Sequence, residues 1–165
     1  MDITTIVVST LAILACIIPL ILVVKNKGKK EKEFKSVIFG MAAKSNAHID
    51  LYDRWNNTII GMDNSNRKLF FFRKAGGNEV QHAVDLNDIE TSSIVNTQHH
   101  VKKDNYNVTQ RLELALVSKD RGKRILLEFY NADYDSLTIV DELQLAEKWS
   151  RNVNAIVSGD GVVKK

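Results

Sequence analysis

Residues Ile3 to Val24 form an apolar run of 22 residues with no charged side chain, ended abruptly by Lys25. At about 1.5 Å per residue such a helix is roughly 33 Å long, enough to cross a hydrocarbon core of about 30 Å. The pattern then changes. Phe34, Val37, Ile38 and Met41 recur at helical spacing and predict a short amphipathic helix over residues 34–45. From Ile49 the period shortens to two. Candidate strands are Ile49–Tyr52, Thr58–Met62, Lys68–Arg73, Val80–Leu86 and Thr91–Val101. Asp63-Asn64-Ser65-Asn66 and Ala75-Gly76-Gly77-Asn78 mark turns between them. Leu112, Leu114 and Leu116 alternate cleanly, as do Ile125, Leu127 and Phe129. With the polar Ser118–Lys123 turn between them, these segments predict an antiparallel hairpin. The last element is a helix with Asp141 as N-cap and Gln144 three residues on, as in a capping box. Leu145, Ala146, Trp149, Val153 and Ile156 line one face of it.

These elements predict an α+β chain: an N-terminal transmembrane helix, then an antiparallel sheet or partly open barrel of about seven strands closed by an amphipathic helix. The expected parts are an anchor over 1–24, a basic juxtamembrane linker with the short helix over 25–46, a domain over 47–157 and a tail over 158–165. A cleaved signal peptide fits the N-terminus poorly, because only Met1 and Asp2 precede the apolar run and the run is too long. Ile13-Leu14-Ala15-Cys16 suggests a lipidation site, but the sequence stays apolar through Val24, where a mature lipoprotein turns polar. Pro19 is tolerated within a span.

Charge sets the orientation. Lys25, Lys27, Lys29, Lys30, Lys32 and Lys35 crowd one side of the run, against Asp2 on the other. Basic flanks stay in the cytoplasm, so the expected placement is single-pass in the inner membrane, N-terminus outside and domain inside. Each of these lysines also attracts anionic headgroups by about 1 kcal/mol near a membrane surface. Without the linker and Asp2, residues 36–165 carry zero net charge. That balance disfavours nucleic acid as a partner. The single cysteine lies within the apolar run, which excludes an intramolecular disulfide.

Catalytic signals are weak. His99 and His100 are adjacent on a strand and point to opposite faces, which opposes shared metal ligation. No nucleophile elbow, phosphate-cradling loop or zinc-protease motif occurs. Asp63, Asp85, Asp88, Asp133 and Asp135 fall in or beside turns, where a carboxylate bonds neighbouring amides. Phe70-Phe71-Phe72 reads as sheet core plus one outward ring able to join a partner interface. No cofactor, metal or enzymatic activity is expected.

Strands Thr109–Val117 and Lys123–Tyr130, followed by the helix around Ala146-Glu147-Lys148-Trp149, carry a resemblance. Seven antiparallel strands and a closing helix with a tryptophan resemble the pleckstrin-homology-like superfold. The chain is also similar to small bacterial membrane-anchored proteins that pair one span with such a domain, a group without an assigned activity. The helix at 34–45 departs from the usual start of that superfold. The resemblance implies binding rather than catalysis. Phosphoinositide-binding members use basic residues across the first hairpin, and the nearest equivalents are Arg67, Lys68, Arg73 and Lys74. Lys119, Arg121, Lys123 and Arg124 form a second basic turn, read as a solvated loop.

Two functions remain in play. The first is a membrane-tethered, non-enzymatic module whose cytoplasmic domain binds a protein partner, with a sheet edge able to accept a peptide strand. The alternative is a peripheral sensor of anionic lipid headgroups, using the lysine linker and a basic sheet edge.

Overall fold

The computed structural model describes residues 28–101, 106–120, 122–135, 139 and 141–159. The expected span over 3–24, with Lys25 and Lys27, lies outside the described residues. Among the described residues no helix is long and apolar enough to cross a membrane.

Residues 28–44 are helical (α1), so the helix begins earlier than the apolar stripe suggests and takes in most of the basic linker. The reason is local. Glu31 and Lys35 sit one turn apart and pair at 2.8 Å, a spacing that supports a helix where no apolar face exists. The chain divides between Ser36 and Val37 into two units. In the second, all seven expected strands form: β1 (Leu51–Trp55), β2 (Thr58–Asp63), β3 (Lys68–Ala75), β4 (Asn78–Asp85), β5 (Ile89–Val101), β6 (Tyr106–Ser118) and β7 (Arg124–Asn131). They build two sheets, β1-β2-β3-β4 and β5-β6-β7, with every described pairing antiparallel. A 3-10 turn at Leu86–Asp88 carries the chain from one sheet to the other.

The closing helix α2 (Glu142–Ser158) follows. Asp141 is its N-cap, but the side chain makes no capping bond, so the expected capping box does not form. Gly159, at φ 88°, ends the helix, and its N–H donates to Ala155 and Ile156 carbonyls. Ser158, the expected first residue of the tail, is helical, and residues 160–165 lie outside the described residues.

One core lies between the sheets and α2. Ile60, Met62, Leu69 and Phe71 from the first sheet meet Leu112, Leu114, Leu116, Leu127 and Phe129 from the second. Trp149, Val153 and Ile156 of α2 complete it, with Trp149 fully buried. Strand alternation sends these residues inward and their neighbours outward.

The outward neighbours are buried as well. Ile59, Phe70 and Phe72 are at most 1% exposed, yet they point away from the shared core. Residues 37–49 cover them. A Cβ placed on Gly61 would lie 3.1 Å from Ile49 and 3.2 Å from Ile38, so the glycine lets this segment close onto β2. The expected outward phenylalanine ring therefore does not reach solvent. Each buried ring contributes about 1.5–3 kcal/mol, which makes the covering segment part of the domain and not an appendage.

The segment is fixed at its C-terminal end by Asp63. Its carboxylate accepts from the Asn66 N–H at 2.8 Å, the Asn66 side chain at 2.7 Å and the His48 N–H at 2.7 Å. Lys68 adds a bond to the Ser45 carbonyl at 2.7 Å. Burial pushes the Asp63 carboxyl up, but the donors from Asn66, His48 and Ser65 outweigh it and hold the group below its ordinary range. A carboxyl depressed in the folded state stabilises above the unfolded pKa, about 4, and this stabilisation is lost as pH falls through the folded value. Asp63→Asn is expected to cost about 1–3 kcal/mol in denaturant melts at neutral pH. The gap to the parent should shrink as pH drops below about 4. A gap that stays constant into strong acid contradicts this assignment.

Candidate functional site

The four basic residues expected to form a headgroup site are found in separate structural contacts. Arg67, at φ 52° in the β2–β3 turn, donates from its guanidinium to the Ile156 carbonyl near the end of α2. Lys68 holds Ser45, as described above. Lys74 pairs with Glu79 at 2.8 Å across the β3–β4 hairpin. Arg73 is 2% exposed. The structure does not gather these four around one surface.

Arg73 lies at the centre of a buried ionic cluster joining the two sheets. Its Nε donates to Glu128 at 3.0 Å, Nη1 to Thr58 at 2.9 Å and Nη2 to Asp135 at 2.7 Å. The Asn131 N–H donates to Asp135 at 2.8 Å, and the Asn131 side chain to Glu128 at 2.9 Å. Asp135 therefore does more than close its own turn. Glu113, directly across from Glu128, titrates above its ordinary range because of burial and because Glu128 is negative, with Arg111 opposing. The cluster is a structural joint with its valences filled.

The remaining surface chemistry lies at sheet edges, where backbone groups lack a neighbouring strand. Three of the four edges are each met at one point by a side chain of another element, and among the described residues the stretch of β5 with Asn96–His100 exposed pairs with β6 alone. On β5, the Ser92 N–H donates to Asn154 Oδ1 at 2.7 Å, and Asn154 Nδ2 donates back to the Ser92 carbonyl at 3.0 Å. This α2 carboxamide stands in for a paired strand. On β7, Trp55 Nε1 donates to the Phe129 carbonyl at 2.9 Å, and the two rings stack at 4.6 Å. On β1 the Asp53 side chain accepts from Lys148 Nζ at 2.7 Å and Trp149 Nε1 at 2.9 Å, both on α2. Above this tie lies an open groove of about 490 Å³, where Arg54, Lys148 and Arg151 face Asp53 and Asp141. Its charges largely offset one another.

β4 is different. Among the described residues it pairs with β3 alone, and Asn78–Gln81, Ala83 and Asp85 are exposed. Its eight residues contain no proline and no lysine, and the β3–β4 register runs without a bulge. Of the usual devices by which an edge is protected, β4 carries only charged side chains, Glu79 and Asp85. The Lys74 N–H donates to Asn57 on the β2 side, which sets the alternation in this ladder. Glu79, Gln81, Ala83 and Asp85 consequently direct their N–H and C=O groups away from β3. His82 faces the other way, against Phe71 at 6.3 Å, and burial holds its imidazole below the ordinary range.

The sequence placed a strand at 80–86 but did not show which edge would stay open. That depends on where α2 and Trp55 land. The groove residues Gln144, Lys148 and Arg151 follow helical spacing opposite the Trp149 stripe, a signal present in the sequence. His100 Nδ1 contacts the Asn107 side chain at 3.0 Å. Among the described residues no cluster of three or more His, Cys, Asp or Glu could hold a metal ion. Compared with protein-family models, curated proteins and solved structures, the chain finds no match in any of the three.

Removal of the Arg73 guanidinium strands the 2%-exposed Asp135 carboxylate. Arg73→Met is expected to cost about 3–5 kcal/mol in denaturant unfolding, and Arg73→Met with Asp135→Asn to recover much of that loss. Equal losses in the single and double variants would show that the pair is not coupled.

Proposed function

We propose that this protein is a membrane-tethered, non-enzymatic interaction module whose cytoplasmic domain binds a protein partner by strand addition at β4. The observation that carries this reading is the exposed β4 edge, which among the described residues pairs with β3 alone and, unlike β5, runs without a bulge. Strand addition takes its affinity from main-chain hydrogen bonds and its specificity from alternate side chains. The tether is read from the uncharged run Ile3–Val24 and the lysines behind it. Confinement near a membrane raises the effective concentration of a membrane partner, so a modest edge interaction suffices.

The pleckstrin-homology-like assignment belongs to the same proposal. Its support is the four-plus-three antiparallel strand order, the closing helix and the buried tryptophan at its centre. A lipid-sensing role rests on the lysines of the 25–35 segment, because Arg67, Lys68 and Arg73 are engaged within the fold.

The test is photocrosslinking in intact membranes from p-benzoylphenylalanine placed at Ala83, with Leu126 on β7 as the comparison position. A discrete protein adduct is expected from Ala83 and not from Leu126. Gln81→Pro should abolish it, because the Gln81 N–H points away from β3 and proline there removes only the outer donor. Lipid adducts alone, or a protein adduct indifferent to Gln81→Pro, contradict strand addition at β4.

A further inference from the structure

The chain from Asn78 to Glu90 contains Glu79, Asp85, Asp88 and Glu90 and not one lysine or arginine. All four carboxylates are exposed. Glu79 and Asp85 lie on β4, Asp88 in the 3-10 turn that leaves it and Glu90 at the start of β5. Three lysines approach this strip: Lys68 stands directly across from Asp85 in the β3–β4 register but gives its Nζ to the Ser45 carbonyl. Lys74 pairs with Glu79 at 2.8 Å, while Lys119 donates to the Asn87 carbonyl at 2.8 Å. Asp85 accepts from the Asn87 N–H and side chain, each at 2.9 Å. Among the described residues no cation pairs with Asp85, Asp88 or Glu90. The domain is neutral as a whole, so this edge concentrates negative charge that the rest of the surface balances.

From this we infer that the strand received by β4 is a cationic extended segment, of the Lys/Arg-rich kind that flanks membrane spans on their cytoplasmic side. The inference rests on the strand-addition reading and adds the chemistry of the occupant. Two physical facts converge on it. Opposite charges on directly paired strands stabilise a sheet and like charges destabilise it, which selects against acidic segments at Glu79 and Asp85. Basic residues also accumulate in cytoplasmic flanks of membrane proteins. A domain anchored at that surface meets such flanks as its nearest extended chain. The inner-facing residues of β4 refine the requirement. Val80 is 43% exposed and His82 half-buried, so alternate positions of the incoming strand meet an uncharged surface and favour apolar side chains. The expected occupant alternates basic and apolar residues. Anionic lipid, by contrast, is repelled from this edge.

The experiment uses the full chain in phosphatidylcholine nanodiscs and fluorescein-labelled ten-residue peptides of alternating threonine–lysine or threonine–glutamate. Fluorescence anisotropy reads the binding component that Gln81→Pro removes. The lysine peptide is expected to bind at least about tenfold more tightly than the glutamate peptide, with added salt narrowing the gap. Glu79→Lys with Asp85→Lys should reverse that order. Equal affinities that both vanish in Gln81→Pro overturn the charge assignment and leave strand addition standing. Binding of either peptide that ignores Gln81→Pro, or no binding of either, counts against edge docking and the inference together.

Discussion

A sheet covered on both faces has nothing to offer a partner except its edge, and this constraint governs the domain. The β1–β4 sheet packs Phe71 and Leu69 inward against the second sheet and buries Phe70 and Phe72 outward beneath residues 37–49. Over β2 and β3 neither face is left as a platform for stacking, and the exposed side chains of this sheet gather on β4. Gly61 makes the outer covering possible, and Asp63 fixes the segment that provides it. Once both faces are sealed, the location of recognition becomes a question about unpaired backbone.

That question has a local answer at each edge. Asn154 reproduces a strand's donor and acceptor at Ser92 of β5, Trp55 bonds the Phe129 carbonyl of β7, and the Asp53 side chain of β1 bonds Lys148 and Trp149 of α2. Trp149 performs two jobs here: its ring fills the core and its N–H fixes the helix to β1. The basic residues of β3 follow the same logic. Arg73 holds the two sheets together, and Lys68 holds the covering segment, so their charge is spent inside the fold. Charge remaining at the open edge is negative, opposite in sign to that of the 25–35 segment.

Much of this was legible in the sequence, because period-two alternation and the Trp149 stripe are strong local signals. The β6–β7 hairpin and the closing helix followed from Leu112-Leu114-Leu116 and from Trp149-Val153-Ile156, while the division of the strands into two sheets did not. Three features were hidden for physical reasons. The outward phenylalanine stayed buried because its cover comes from residues 37–49, and periodicity does not say what lies over a face. Arg73 and Asp135 are 62 residues apart in the chain, so their pairing depends on the sheets meeting. The vacancy at β4 is a property of where other elements end, not of β4 itself. The helix over 28–44 began early because Glu31 and Lys35 support each other without an apolar stripe.

Hydrogen exchange along β4 tests the central claim most directly, resolved to single amides in the purified chain and in native membranes. In the purified chain the amides of Gln81 and Ala83 should exchange fast while those of Val80 and His82, bonded to β3, exchange slowly. In native membranes Gln81 and Ala83 should become protected. Fast exchange at both in native membranes, or protection already present in the purified chain, would contradict an edge held open for a partner strand.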